Sequence, residues 1–553
     1  MRRRLLLVLV MTAALGLGVG ASATTTRARL AGAVQRTTPA PVTTARATPV
    51  EPSPRPDAAD LDAVARIKEE GLQRSQVMDT LWYLTDVHGP RLTASPQIRA
   101  AAEWTMARLR EWGLSGVRQE TWGPFGRGWS NDKLAANVMT PQPFPLIAYP
   151  RAWTPGTAGT VTAEATVAVI AREDEFAGWT GKLKGMIVLL ARSPEVRAQF
   201  TPLGRRFTDQ ELTDLQNQPV PAVRGRGGRG GVGDPAPDPN FGLKRMQFFA
   251  REGVVATLEP GTGRSDHGAV LVNNAPREYR DPKETPTVPQ LMVASEHYNR
   301  IARLLEANMP VRIELTVSNR FIDDTQESFN VLADIPGTDL ADQVVMLGAH
   351  FDSWHAGTGA TDNAAGSAAM MEAMRILKAS GVRLRRTVRL ALWTGEEQGL
   401  LGSRAYVKQQ FGDPGTMVLL SGHARLSAYF NMDNGTGAIR GVYLQGNEAV
   451  RPVFAAWMEP LRSLGMTMLT IRNTGATDHI AFDEVGLPGF QFVQDPVEYG
   501  TYSHHTNMDL YDRIQREDMI RNSVIIASFV YHAATREARL PRKPLPRPRP
   551  ATP

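Results

Sequence analysis

The sequence predicts an α/β fold, in which helices cover both faces of a mostly parallel mixed sheet, with a β-rich insert. After Pro289, short apolar runs such as VVMLGAH and TVRLALW alternate with helix-length segments such as AGSAAMMEAMRILKAS, which is typical of such a sheet. Residues 145–288 instead contain alternating runs such as TAGTVTAEATVAVI, which indicate β-structure. A chain of 553 residues is also too long for one simple core.

The N-terminal region has the composition of an export signal followed by a linker. Residues 1–23 combine a basic start, an apolar run and an Ala-Ser-Ala ending at Ala23, so they are predicted to be a signal peptide. An uncleaved anchor is the alternative, because the apolar run is close to the shortest that spans a bilayer. Residues 24–60 are rich in Thr, Ala, Pro and Arg and are predicted to be a disordered linker.

The main domain is predicted in two parts. Residues 61–144 begin with DLDAVARIKEEGLQ and IRAAAEWTMARLREWGL, whose apolar residues recur at helical spacing. The insert at 145–288 follows. The second part, 289–540, contains the predicted strands VRIELTV and FNVLADI and the alternating segments described above. Residues 541–553 are rich in Pro and Arg and are predicted to be a disordered tail.

Charge and composition exclude some classes of function. The net charge of +6 comes mainly from arginines and lysines in the first 23 and last 13 residues, so the body is close to neutral. It therefore lacks the basic patch that nucleic-acid binding requires. The chain has no cysteine, which excludes disulfides, thiolate metal sites and a lipoprotein anchor.

Side chains of metal-binding type follow three of the predicted strands. His350 ends VVMLGAH, Glu396 and Glu397 follow TVRLALW, and Asp433 follows AYFNM. Because ligands collect at the carboxyl ends of parallel strands, we expect these side chains to meet at one edge of the sheet. Carboxylates and imidazoles are ligands of Zn²⁺ in hydrolytic sites.

Two further residues complete a candidate set of five metal ligands. Asp362 lies in GATDNAAG and His505 in SHHTNMD. Five ligands suit two metals if one carboxylate bridges them. Asp352 lies two residues after His350 and is better placed to orient that imidazole than to bind metal. One member of the Glu396–Glu397 pair can bind metal while the other accepts a proton from water.

These motifs resemble the co-catalytic zinc exopeptidases, which include bacterial leucyl aminopeptidases, glutamate carboxypeptidase II and carboxypeptidase Q. The strings SWHAGTGATDNAAG and LWTGEEQGLLGS and the His-His pair at 504–505 look most like the carboxypeptidase Q branch. The resemblance covers roughly residues 62–140 and 290–535. The insert looks like the protease-associated domain that many members carry.

The resemblance implies a role for each candidate residue. Two Zn²⁺ ions per chain would be bridged by Asp362, with His350 and Asp433 on one ion and Glu397 and His505 on the other. It implies that Glu396 is the general base, that Asp352 supports His350, and that the Asp362–Asn363 peptide bond is cis. His504 stands where the glutamate carboxypeptidase branch has Tyr. Together with Asp478 and His479, it is a candidate for substrate binding.

The predicted function is that of a secreted or periplasmic zinc-dependent exopeptidase. It is expected to remove N-terminal residues or dipeptides through a water activated by two metals. Alternatives are carboxypeptidase action, glutaminyl cyclase-like chemistry at one zinc, or a non-catalytic binding protein on the same scaffold. The expected partner is a peptide substrate and, as a further hypothesis, a second copy of the chain, without stable membrane insertion after signal cleavage.

Overall fold

The computed structural model describes residues 58–219, 238–261, 267–273 and 275–548. The predicted signal peptide and all but the last three residues of the predicted linker therefore lie outside the described residues, as do residues 549–553 of the predicted tail. Among the helices of the described ranges, none combines the length and the apolar character that a membrane span requires.

Strands alternate with helices mainly after residue 340, whereas several strands follow one another directly in the preceding part of the chain. In chain order the strands are β1 Ser115–Trp122, β2 Gly128–Thr140, β3 Phe144–Pro145, β4 Ala148–Pro150, β5 Thr160–Val167, β6 Ile187–Leu189, β7 Ala256–Pro260, β8 Gln290–Val293, β9 Arg312–Ile322, β10 Ser328–Ile335, β11 Leu340–His350, β12 Arg386–Trp393, β13 Gly412–Asp413, β14 Val418–Leu419, β15 Leu426–Asn431, β16 Ile439–Tyr443, β17 Met468–Thr470 and β18 Gly489–Gln494. The α-helices are α1 Leu61–Gln73, α2 Val77–Trp82, α3 Pro96–Glu111, α4 Asp209–Asn217, α5 Phe241–Glu252, α6 Ser295–Glu306, α7 Ala365–Ala379, α8 Leu401–Gln410, α9 Ser421–Arg425, α10 Arg451–Met458, α11 His479–Asp483 and α12 Arg516–Thr535.

The main sheet has eight strands in the order β1-β10-β12-β11-β15-β18-β16-β17. Its central strands β12, β11, β15 and β18 pair in parallel, while β1, β10 and β16 contribute antiparallel pairs. Helices α1, α7 and α12 pack on one face, and α8 and α11 pack on the other. The predicted fold class, a mostly parallel mixed sheet between helices, is therefore confirmed.

Helix α7 is the buried helix that follows the candidate site. Met370, Met371, Met374 and Leu377 are buried in the main core, as their helical spacing predicts. The helix also carries Arg375, which donates to Glu372 Oε2 at 2.8 Å, to Glu70 Oε1 at 2.6 Å and to the Arg74 carbonyl at 3.0 Å. This buried ion-pair network joins α7 to α1.

Replacing Arg375 with Ala is expected to lower the free energy of unfolding by about 3–5 kcal/mol, because it removes the buried guanidinium that the carboxylates of Glu70 and Glu372 share. Urea denaturation measures the change. Arg99→Ala is the matched control: it removes a partly exposed pair with Asp324 and should cost less than about 1 kcal/mol. Equal losses in the two variants would contradict the structural role of Arg375.

The chain segment that connects two neighbouring strands of the main sheet forms a second sheet. The chain leaves the main sheet after β1 and returns at β10, and these two strands pair with each other. Between them, β2 to β9 form an eight-stranded sheet in the order β3-β2-β9-β5-β6-β7-β8-β4. We call residues 128–322 the second-sheet region.

The second-sheet region is wider than the segment 145–288 that composition singles out. The predicted strand VRIELTV, assigned above to the main domain, lies in β9 and pairs with β2, which includes the run LAANVM from the range 61–144 that was also assigned to that domain. They are amphipathic strands, and amphipathic patterning does not show which of two sheets a strand joins. The correspondence of this region to a protease-associated domain stays a prediction.

Part of the predicted disordered tail has defined contacts. Arg542 donates to the carbonyls of His423 at 2.8 Å and Leu426 at 2.7 Å, and Lys543 pairs with Asp483 at 2.5 Å. The prediction of disorder from 541 onward therefore needs correction at Arg542 and Lys543. Composition showed too few apolar residues to form a core, but it could not show that carbonyl groups of the body accept from these basic side chains.

Candidate metal centre

Four chain segments deliver the candidate side chains to one edge of the main sheet. His350 is the last residue of β11, Glu396 and Glu397 follow β12, and Asp433 follows β15. Because β12 and β15 flank β11 in parallel, their carboxyl ends lie side by side. The loop after β18, the next parallel neighbour, brings in His505.

Asp362 lies in the short turn 360–364 that precedes α7. The Asp362–Asn363 peptide bond is cis, as the family resemblance implies. The carboxylate of Asp509 accepts from the backbone N–H groups of Thr361 at 2.5 Å and Asp362 at 3.1 Å. The backbone that carries Asp362 is thus held by a buried carboxylate from the far end of the chain.

The carboxylate of Asp362 lies between two groups of candidate ligands. Its Oδ1 is 3.1 Å from His350 Nε2, which is itself 3.3 Å from Asp433 Oδ1. Its Oδ2 is 3.2 Å from His505 Nε2, which is 2.9 Å from Glu397 Oε2. The structure therefore brings the five predicted ligands together, with Asp362 in the central position.

This donor set fits metal ions. Ligand atoms of His350, Asp362 and Glu397 lie within 4.8 Å of one another, as do those of Asp362, His504 and His505. Glu397 Oε1 is buried and has no hydrogen-bond partner in the described part of the chain. A buried carboxylate oxygen without a donor is costly unless a cation contacts it.

The electrostatics of the centre also favour cations. Burial raises the pKa of Glu396 well above its usual range, and the carboxylate of Asp433 adds to the rise. Burial also raises the pKa of Glu397 to about 7. Burial would lower the pKa of His505, but Glu397 and Asp362 raise it to about 10. Carboxylates packed this closely repel one another, and bound cations would remove that repulsion.

The side-chain carboxylate of Asp352 contacts the backbone of Glu396 and Glu397 more closely than it contacts the imidazole of His350. His350 Nδ1 lies 3.0 Å from the Asp352 carbonyl oxygen and 3.7 Å from its carboxylate. The carboxylate accepts from Thr93 Oγ1 at 2.8 Å and from the backbone N–H groups of Glu396 and Glu397 at 3.3 Å. Asp352 therefore orients His350 through its backbone and the two glutamates through its side chain.

The three candidate substrate-binding residues occupy different positions. His504 stacks on His505 with ring centroids 3.7 Å apart, and its Nε2 lies 3.5 Å from Asp362 Oδ2. Asp478 is fully buried, and burial raises its pKa to about 7, with His350 and Asp433 among its electrostatic neighbours. His479 is buried at the start of α11, where it accepts from Gln445 Nε2 at 2.8 Å.

Sequence reasoning missed Arg91 and Asp509. Arg91 is fully buried and donates to four carbonyl groups, those of Phe351 at 2.8 Å, Leu84 at 2.6 Å, Thr358 at 3.0 Å and Gly359 at 2.9 Å. Burial lowers its pKa to about 10. Three of the four carbonyls belong to a loop at least 260 residues away in sequence, so no local motif reveals them. Asp509 escaped notice because it follows His505 by four residues and looks like an ordinary loop acid.

Comparisons with known proteins agree with this architecture. Residues 330–530 match the model of peptidase family M28. Carboxypeptidase Q of Mus musculus is 25% identical over 486 residues, which cover 87% of this chain and 90% of the mouse protein.

Two solved structures share the fold. A peptidase M28 precursor from Shewanella amazonensis SB2B has a TM-score of 0.60 at 24% identity, covering 88% of this chain and 98% of that one. BSAP, a zinc aminopeptidase from Bacillus subtilis, has a TM-score of 0.52 at 19% identity, covering 83% and 95%. Residues 330–530 are therefore a peptidase family M28 domain, the chain is similar to carboxypeptidase Q along most of its length, and the protein is a metallo-exopeptidase.

Proposed function

We propose that this protein is a secreted or periplasmic exopeptidase that uses two zinc ions per chain to remove N-terminal residues or dipeptides from peptides. The observation that carries the proposal is the position of Asp362, whose two carboxylate oxygens face His350 on one side and His505 on the other. A carboxylate between two imidazoles, each with a second carboxylate beside it, is the arrangement that a bridged pair of metals needs.

Each side chain of the centre has a task in this proposal. His350, Asp433 and Asp362 would hold one zinc ion, and Glu397, His505 and Asp362 the other. Zinc, when bound, supplies a Lewis acid for the peptide carbonyl and makes water more acidic. Glu396 accepts the proton of the attacking water and returns it to the leaving amine. Its buried position raises its pKa well above the usual range, which makes it a stronger base.

The charge of the centre favours the amino end of a peptide. When two divalent ions are bound and keep these groups ionised, Asp478 adds its carboxylate to those of Asp352, Glu396 and the three acidic candidate ligands, and the six negative charges exceed the four positive charges of the ions. Arg91 is buried and engaged by backbone carbonyls, so it cannot receive a substrate carboxylate. A protonated N-terminus is therefore attracted to this surplus of negative charge.

Carboxypeptidase action is the second candidate, because the mouse relative carries the name carboxypeptidase Q. His504 is the residue that would take part in it: its ring stacks on His505 beside Asp362, where an imidazole could bind a substrate terminus or polarise the scissile carbonyl. We keep as proposals that the second-sheet region is a protease-associated domain and that the chain forms homodimers.

A peptide panel separates the two specificities. Purified protein is loaded with zinc and assayed on one dipeptide and one tetrapeptide, each unblocked, N-acetylated or C-amidated. We expect N-acetylation to abolish cleavage and C-amidation to spare it, because a free ammonium group is required. The reverse pattern would establish carboxypeptidase action. Metal analysis of the same protein should give two zinc ions per chain, and activity should be lost on chelation; one tightly held ion would favour a cyclase-like chemistry instead.

A further inference from the structure

The loop that carries His504 and His505 is held by the second-sheet region. Val272 donates its N–H to the carbonyl of His505 at 3.0 Å, and Leu271 forms an antiparallel bridge with Thr506. The Asn507 side chain accepts from Val270 N at 2.6 Å and donates to the carbonyl of Gly268 at 3.3 Å. We call residues 268–272 the bracket.

The bracket is itself fixed to the second sheet. Val270 and Val272 are fully buried and pack in one cluster with Met292 and Ala294, which lie at the end of β8 and directly after it. Leu271 also donates its N–H to the Gly261 carbonyl at 3.3 Å. A segment packed in this way moves with its sheet, so it provides a rigid support for the loop.

A second segment of the same region holds the other end of the loop. The Arg205 N–H donates to the Val497 carbonyl at 3.1 Å, and the Phe207 N–H donates to Asp495 Oδ1 at 3.0 Å. Thr501 Oγ1 donates to the Leu203 carbonyl at 2.6 Å. Residues 495–507 are therefore bound at both ends by the second-sheet region.

His505 needs such support more than the other candidate ligands. His350 ends a central strand, and Glu397 and Asp433 follow neighbouring strands within a few residues, so the main sheet places them directly. His505 lies eleven residues beyond the end of β18, and its φ of +63° is in the left-handed region. A non-glycine residue keeps that conformation only when its surroundings impose it.

We propose that the second-sheet region is a working part of the metal centre: the bracket positions His505 and so sets the affinity of the zinc ion that His505 and Glu397 hold. This inference rests on the proposed two-zinc site. It assigns Asn507 as a positioning residue, because the Asn507 side chain joins the bracket to the loop two residues after His505.

Asn507→Ala tests the proposal through zinc affinity. Competition with a chelator measures the dissociation constants of the two zinc ions in the full chain. We expect one ion to bind about 10-fold more weakly or worse, as when an outer-shell partner of a ligand is lost, while the other ion is unchanged. Asn299→Ala is the matched control: that asparagine is 7% exposed, against 8% for Asn507, and its side chain donates to the Pro194 carbonyl within the same region.

A milder variant keeps the test decisive if Asn507→Ala does not fold. Thr501→Val removes the exposed hydroxyl that donates to the Leu203 carbonyl of the second-sheet region and to the Glu498 carbonyl, and it should weaken binding of the same zinc ion by about 3-fold. Unchanged zinc affinity in whichever of these variants folds, or equal loss in Asn299→Ala, would overturn the positioning role. Wild-type protein that binds fewer than two zinc ions would instead overturn the proposed function, so the two failures are distinct.

Discussion

Replacing Glu396 with Gln is expected to lower the turnover number by about 10²–10⁴, because glutamine keeps the shape of the side chain but cannot accept the proton of the attacking water. Glu396 is half-buried beside His350 and Asp433, and the removal of its carboxyl group from water raises its pKa well above the usual range. Steady-state hydrolysis of an unblocked dipeptide measures the loss, and zinc content should stay at the wild-type value.

The control for this variant is Glu327→Gln, the same chemical change at an exposed position in the connection before β10. It should have wild-type turnover. Near wild-type turnover in Glu396→Gln would show that another group accepts the proton. Loss of zinc from that variant would show instead that Glu396 is a ligand and that the roles of the two neighbouring glutamates are exchanged.

Replacing Asp362 with Asn is expected to weaken both zinc ions and abolish hydrolysis. Loss of an outer-shell partner alone costs about 10–100-fold in metal affinity, and Asp362 faces both imidazole groups directly. We therefore expect more than about 100-fold weaker binding of both ions. Chelator competition measures both constants, and differential scanning calorimetry with and without zinc reports the lost stabilisation by the metal.

Asp342→Asn serves as the control, because Asp342 is exposed near the start of the strand that ends at His350. It should bind zinc like the wild type. A variant at Asp362 that loses only one ion would contradict the bridging position. The three zinc-affinity results form a pattern: Asp362→Asn affects both ions, Asn507→Ala affects one, and Glu396→Gln affects neither.

The pattern separates two contributions to one centre. Strands of the main sheet place His350, Glu397 and Asp433, and the turn before α7 places Asp362. The second-sheet region holds the loop of His505 through the bracket and through the contacts of residues 203–207. Motion of the second-sheet region relative to the main sheet would therefore change the metal centre, and not only the access of substrate to it.

Local sequence was sufficient for the main sheet and for its candidate site residues. The runs VVMLGAH and AYFNMD end in residues of metal-binding type, and two glutamates follow TVRLALW within four residues; the three strands are parallel neighbours in the structure. Hydrophobic runs and side-chain chemistry are properties of adjacent residues, so they are readable without the fold. The motifs also pointed to the exopeptidase family that the comparisons confirm.

The sequence was insufficient to predict hydrogen bonds between a side chain and the backbone of a distant segment. The four carbonyls around Arg91 come from three separate segments, and Asp509 accepts from amides nearly 150 residues away. Composition likewise assigned residues 541–548 to a disordered tail, although carbonyls of the body accept from Arg542. Almost every residue carries the same backbone donor and acceptor, so the residue type does not indicate which backbone groups a distant side chain will contact.

By itself, the sequence determined which side chains make up the candidate centre, their order along the chain and the type of sheet that presents them. Only the tertiary structure decided that β2 and β9 belong to a second sheet, that Arg91 and Asp509 brace the loops of the centre, and that the bracket supports His505. The physical reason is the range of the interactions: periodicity and side-chain chemistry act between near neighbours, whereas backbone pairing between distant segments depends on which surfaces meet when the chain folds.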